Sequence, residues 1–161
     1  MESLSLFESP ADLGRILPVF LLRCSMAAVC GGLIGIEREL KNKPAGFRTN
    51  ILICLGAALY MSVGLLIPDH AVDPTRIAAQ VVTGIGFLGA GCIIQSGNNV
   101  RGLTSAATIW VVAAIGIVSG AGFPILALVA SVMVIVTLAV LRRVETRLVA
   151  RGARGEDYDE P

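Results

Sequence analysis

The sequence predicts an all-α fold, a polytopic membrane bundle of five transmembrane helices, and three observations predict it. Hydrophobic residues make up 55% of the 161 residues, charged residues only 16%, and mean hydropathy is +0.78. Five apolar stretches follow one another, each meeting or approaching the roughly 20 residues that a spanning helix needs. Basic residues gather on alternate connections between them. A water-soluble core has no room for so much apolar surface, so lipid is the expected solvent. One domain accounts for the length.

The spans are expected at residues 13–36, 49–67, 77–94, 103–119 and 123–141, within a membrane domain covering 1–141. Breakers separate them: Lys43-Pro44-Ala45-Gly46, Pro68-Asp69-His70, Ser96-Gly97-Asn98-Asn99 and Gly120-Ala121-Gly122. Asp73 followed by Pro74 reads as the N-cap and first position of the third helix. Thr104 or Ser105 is the expected cap of the fourth. The first residues carry Glu2, Glu8 and Asp12 rather than a basic start, so the first span is expected to remain as a helix and not to be cleaved. Residues 142–161 read as a short tail, first basic and then acidic, with no structure expected from Glu156 onward.

Orientation follows from the basic residues, which stay cytoplasmic near helix ends. Arg38, Lys41, Lys43 and Arg48 lie between spans one and two, Arg101 between three and four, and Arg142, Arg143, Arg147, Arg151 and Arg154 after span five. Only Arg15 and Arg76 fall on the other side. The N-terminus is therefore expected outside and the C-terminus in the cytoplasm. Net charge is +1 and suggests no nucleic-acid partner. Cys24, Cys30, Cys54 and Cys92 lie within apolar runs and lack zinc-ligand or CxxC spacing, so they read as small apolar fillers.

The third span contains Gly84, Gly86, Gly89, Ala90 and Gly91. The string matches a GxGxxG pattern, but dinucleotide binding needs a preceding strand and a following acidic residue, and neither is present. Small residues in a membrane helix instead let backbones approach, within or between subunits. An ion path lined by carbonyls is the competing reading.

Charged and polar groups within the spans or at their ends are the functional candidates: Arg23, Glu37, Arg38, Glu39, Arg48, Asp73, Arg76, Gln80, Arg101 and Thr104. Arg23 falls near the middle of the first span, where a charge costs about 2.5–3.5 kcal/mol, so it needs a carbonyl or polar partner or a wet cavity. It is either a structural arginine satisfied in the bundle or a group in conduction or gating. Glu37-Arg38-Glu39 is either an interfacial charge cluster or a carboxylate pair at a pore mouth. Magnesium prefers oxygen ligands, which makes Glu37, Glu39 and Asp73 weak metal candidates. Asp73 lies across the membrane from the other two, so no complete site is visible. Gln80, Thr83, Thr104 and Thr108 are expected to form an internal polar seam. His70 reads as a solvated loop residue.

Three ordered blocks resemble the MgtC/SapB family. They are Gly35-Ile-Glu-Arg-Glu39 with Lys43-Pro-Ala-Gly-Phe-Arg-Thr49, the stretch from Asp73 to Gly91, and Val100-Arg-Gly-Leu-Thr-Ser-Ala-Ala-Thr-Ile-Trp110. The resemblance implies a bacterial inner-membrane protein of magnesium-limitation adaptation, in a family linked to virulence. It also implies a regulator of membrane energetics or ion homeostasis, tied to ATP synthase or membrane potential. Virulence-linked members carry a soluble domain after the fifth span. This sequence ends about 20 residues past Leu141, so the short form with a membrane domain alone is expected. The expected partners are the bilayer, a homo-oligomer, and ATP synthase or another membrane complex. The alternative is an oligomeric transporter or channel for Mg2+ or another cation. No resident cofactor beyond Mg2+ is expected. An intramembrane enzyme is disfavoured, since HExxH, GxSxG and an intramembrane aspartate pair are all missing.

Overall fold

The computed structural model describes residues 10–66, 73–97 and 99–155. Helix α1 covers Pro10–Leu40, α2 Phe47–Leu66, α3 Pro74–Gly91, α4 Leu103–Gly120 and α5 Pro124–Gly155. A two-stranded hairpin, β1 Ile94–Ser96 and β2 Asn99–Arg101, joins α3 to α4. The fold is all-α but for this hairpin, whose register pairs Ile94 with Arg101 and Ser96 with Asn99. Gly97 takes φ +59 at its turn, a value that a residue without a side chain adopts freely. The third span was expected to run on to residue 94. The helix instead ends at Gly91 and the chain turns into strand.

Each helix has a local cause. The Asp73 carboxylate accepts from the Thr75 N–H at 2.9 Å and Pro74 opens α3, as the sequence indicates. The start of α4 differs from expectation. Its N-cap is Gly102 at φ +92, with no side-chain cap; Thr104 and Ser105 sit inside the first turn. A Cβ at Gly102 would run into the Cys92 carbonyl, so the hairpin's return leaves no room for a capping side chain. Helix α5 continues past 141 through the basic stretch to Gly155, rich in the helix formers Leu, Ala and Arg. The residues named in the N-terminal acidic run, in the Pro68–His70 breaker and in the acidic end from Glu156 lie outside the described residues, except Asp12, whose side chain is also not described.

Among the described residues four helices are long and apolar enough to cross a membrane: Leu13–Leu40, Phe47–Leu66, Leu103–Gly120 and Pro124–Val144. Helix α3 is not among them, because Arg76 and Gln80 dilute its short apolar run. It nevertheless lies along the others. A Cβ at Gly64 of α2 would meet Ile77, and one at Gly89 would meet Ala106 of α4 at 3.7 Å.

The core sits where α1, α2 and α4 meet, and it is built from small side chains: Ala27, Cys30, Cys54, Ala57, Ala58 and Ala113, with Ile34, Ile109 and Val112. Such a core requires backbones in contact. A Cβ at Gly31 would lie 2.5 Å from the Asn50 carbonyl, and one at Gly35 2.8 Å from Phe47 Cα. A Cβ at Gly120 would lie 2.5 Å from the Ala58 carbonyl, and Gly116 sits as closely on Cys54. Both pairs have small-xxx-small spacing, the usual device for close helix approach in lipid. Outward-facing Leu21, Leu22, Leu52, Ile125, Leu126, Val132 and Met133 are exposed, as suits a bundle solvated by hydrocarbon.

Candidate functional site

The candidates on α1 and at the start of α2 fall into two groups at opposite ends of α4. Arg23 lies near the middle of α1, yet at the end of the bundle. Its Nη1 donates to the Gly120 carbonyl at 3.0 Å, and its own carbonyl accepts from Ser119 Oγ at 2.8 Å. Ser62 Oγ of α2 donates to the same Gly120 carbonyl at 3.1 Å. The last carbonyls of a helix lack intrahelical donors and carry the negative end of its dipole. A guanidinium placed there is therefore satisfied electrostatically as well as by hydrogen bonding. It also lies over Gly122, at φ +100 in the turn to α5.

The second group is about 22 Å away by helix rise, at the α1–α2 connection. Arg38 is 3% exposed and donates to Ser105 Oγ at 2.5 Å on the first turn of α4. Glu37 pairs with Lys41 one turn on. Glu39 is exposed, and its Oε2 accepts from the Phe47 N–H at 3.0 Å. It thus caps α2 from the end of α1, where the orphan N–H groups and the positive dipole end favour a carboxylate. Asn50 is fully buried and donates from Nδ2 to the Ala45 and Gly46 carbonyls at 2.5 and 2.9 Å. Those bonds hold Ala45 in the left-handed region at φ +58. Glu37 Oε2, Arg38 Nε and Asn50 Oδ1 are buried without a hydrogen-bond partner among the described residues.

Around these, Arg48 and Glu39 line a shallow cleft of about 590 Å³ with Ile36, Leu40, Gly46, Phe47 and Thr49. Arg101 is exposed on β2, opposite Ile94. The Thr104 carbonyl accepts from Thr108 Oγ1 within α4, and Thr83 Oγ1 donates back to the Ala79 carbonyl. The internal seam expected between α3 and α4 is therefore not formed. Thr83 and Gln80 face outward, because the side of α3 that meets α4 is the one carrying Gly89.

The third-span glycines are also placed differently from the close-packed pairs. A Cβ at Gly84, Gly86 or Gly91 would meet nothing within 4 Å; Gly89 alone makes contact, and Ala90 is exposed. Within this chain the close packing belongs to Gly31, Gly35, Gly116 and Gly120. A search for small-xxx-small spacing along every span would have found both pairs.

Glu37, Glu39 and Asp73 do not converge. Glu37 holds Lys41, Glu39 caps α2, and Asp73 is beyond the far end of α2, bound to Thr75 through both carboxylate oxygens at 2.9 and 2.7 Å. Those bonds hold the Asp73 carboxyl below the ordinary aspartate value, the Thr75 hydroxyl contributing most. Among the described residues no group of three or more His, Cys, Asp or Glu side chains is placed to hold a metal ion.

A long lateral groove, about 970 Å³, opens between α2 and α3. Its walls include Thr49, Leu52 and Tyr60 on α2, and Asp73, Arg76, Gln80 and Leu88 on the side of α3.

Crossing-length helices, a small-residue core and polar groups gathered at the bundle ends define a multi-pass membrane protein. The chain belongs to the MgtC family, whose family model matches residues 24–147. It is 48% identical over 136 residues to YhiD of Escherichia coli (strain K12), whose description proposes magnesium transport; the match covers 80% of this chain and 63% of that protein. Protein MgtC of Brucella abortus (strain 2308) is 47% identical over 136 residues, 82% of this chain and 57% of that one. The protein slr0014 of Synechocystis is 46% identical over 126 residues, covering 78% and 53%. The chain thus spans less than two thirds of the length of these curated relatives. No solved structure matches.

Proposed function

We propose that this chain is a regulator in the bacterial inner membrane, serving adaptation to low magnesium by acting on membrane energetics or ion homeostasis through another membrane complex, and not an enzyme. It crosses five times in this reading, with the N-terminus outside and the C-terminus in the cytoplasm. ATP synthase is the partner that the family resemblance points to. The observation that carries the reading is the use of the charged groups. Arg23 is bound to the Gly120 carbonyl, Arg38 to Ser105, Glu39 to the start of α2 and Glu37 to Lys41. Between the two ends the core is lined by Ala27, Cys30, Cys54, Ala57 and Val112, and the buried Thr108 and Ser131 hydroxyls donate to carbonyls of their own helices, so no carboxylate is there to hold a hydrated cation. Affinity capture from native membranes under magnesium limitation is expected to recover a stoichiometric membrane complex. Recovery of self-assemblies alone would overturn the reading.

The second reading is an oligomeric cation transporter. It is favoured by the α2–α3 groove with Asp73, Arg76 and Gln80, and by the proposed activity of the Escherichia coli relative. Purified protein in liposomes would then carry Mg2+ flux above empty liposomes, lowered by substitution of Asp73. Flux equal to that of empty liposomes removes this reading.

A further inference from the structure

Helix α3 presents Arg76, Gln80, Thr83, Gly84 and Phe87 on one exposed face, with Phe87 83% exposed. It does so while lying along α2 and α4, two helices of crossing length, from Ile77 at Gly64 to Gly89 at Ala106. Only Gly89 of α3 is buried, so the helix is held by little of its own surface. Among the described residues Gln80 has no hydrogen-bond partner and Arg76 no ion-pair partner. A primary amide facing hydrocarbon is expensive, and such a group turns toward protein or water.

We propose that the α2–α3 groove and the adjoining face of α3 are covered by a second copy of this chain, related by a two-fold axis. The chemistry of the face is self-complementary. The Gln80 amide both donates and accepts, so it satisfies Gln80 of another copy. Asp73 and Arg76 stand about one helical turn apart at one end of the groove, so each copy's carboxylate meets the other's guanidinium in two reciprocal pairs. A surface that contacts itself in this way is the signature of a two-fold interface. Gly56 on α2 and Gly84 on α3 both line the groove, and a Cβ at either would meet nothing within 4 Å in the single chain. They leave the depth that an approaching backbone needs. A phospholipid, the other candidate occupant, would fill the apolar middle of the groove but leave the Gln80 amide without a partner.

The test is oxidative cross-linking in native membranes, with partly exposed Cys92 replaced by serine so that the remaining native thiols are buried. Gln80→Cys is expected to give a dimer-sized band, and Val136→Cys on the lipid face of α5 little or none. In parallel, native mass measurement should find the unmodified chain as a dimer. Gln80→Leu, a change at an exposed position of the single chain that removes the amide and adds only apolar surface, should lower the dimer fraction about fivefold or more. A chain that is monomeric with bound phospholipid, or that cross-links equally at positions 80 and 136, overturns the proposal. These outcomes are independent of whether the chain regulates or transports.

Discussion

Arg23 and Gly120 are 97 residues apart in sequence and joined by a 3.0 Å hydrogen bond from the guanidinium to the last carbonyl of α4. The same carbonyl accepts from Ser62, so α1, α2 and α4 converge on one oxygen. Removing one donor leaves the other in place; removing both leaves a carbonyl at a helix end with no partner. Arg23→Ala and Ser62→Ala are each expected to cost about 1 kcal/mol. The double variant should lose clearly more than their sum, by about 1 kcal/mol or more. Thermal or denaturant unfolding in detergent, run as a double-mutant cycle, measures this. Strict additivity would mean that the two side chains do not share the carbonyl.

The glycines divide by what faces them. Gly35→Ala forces a methyl group against Phe47 backbone, and Gly116→Ala does the same at Cys54, where no rotamer change gives relief. Each should destabilise the bundle by about 1–3 kcal/mol or prevent folding. Gly86→Ala adds a methyl group into open space and improves helix propensity, so it should be neutral or stabilising by up to about 1 kcal/mol. Unfolding midpoints of the three variants rank them, and a Gly86→Ala loss as large as that of Gly35→Ala would contradict the assignment.

The contrast also shows what the sequence carries. Hydropathy and breakers were enough for five helices, because apolar length is a property of the chain itself. The Asp73-Pro74 cap was legible for the same reason: donor and acceptor are two residues apart. The partner of Arg23 was legible only as a requirement, since the identity of Gly120 depends on how α1 meets α4. The α3 glycines are conspicuous as a string, yet composition does not say which face of a helix meets its neighbour. Glu39 looked like a ligand because a carboxylate at a helix end reads the same whether it binds a cation or the next helix.

Asp73 offers a pH test of the third helix. Its carboxyl is held below the ordinary aspartate value of 3.8 mainly by the Thr75 hydroxyl and then by the Thr75 N–H. A depressed folded value means that its contribution is present above about pH 3.8 and is lost as pH falls through the lower folded value. NMR titration of the Asp73 carboxyl carbon should give a midpoint below 3.8, and Thr75→Val should move it upward by removing the larger cause. Identical midpoints in the two proteins would show that the hydroxyl is not the partner.

Glu39 separates a helix cap from a magnesium ligand. Its Oε2 accepts from the Phe47 N–H, and a Cβ at Gly46 would strike that same carboxylate. A cap acts whether or not a cation is present. Glu39→Ala should therefore lower stability by about 1 kcal/mol equally in EDTA and in excess Mg2+. Glu39→Gln retains an acceptor oxygen and gives up only the dipole term, so it should lose about half as much. Gly46→Ala should resemble Glu39→Ala, because the added methyl group displaces the carboxylate without touching its charge. If Mg2+ stabilises the unmodified chain and that increment disappears in both Glu39 variants but persists in Gly46→Ala, the carboxylate binds the cation. The unfolding midpoints of these four proteins, each measured with and without Mg2+, decide it.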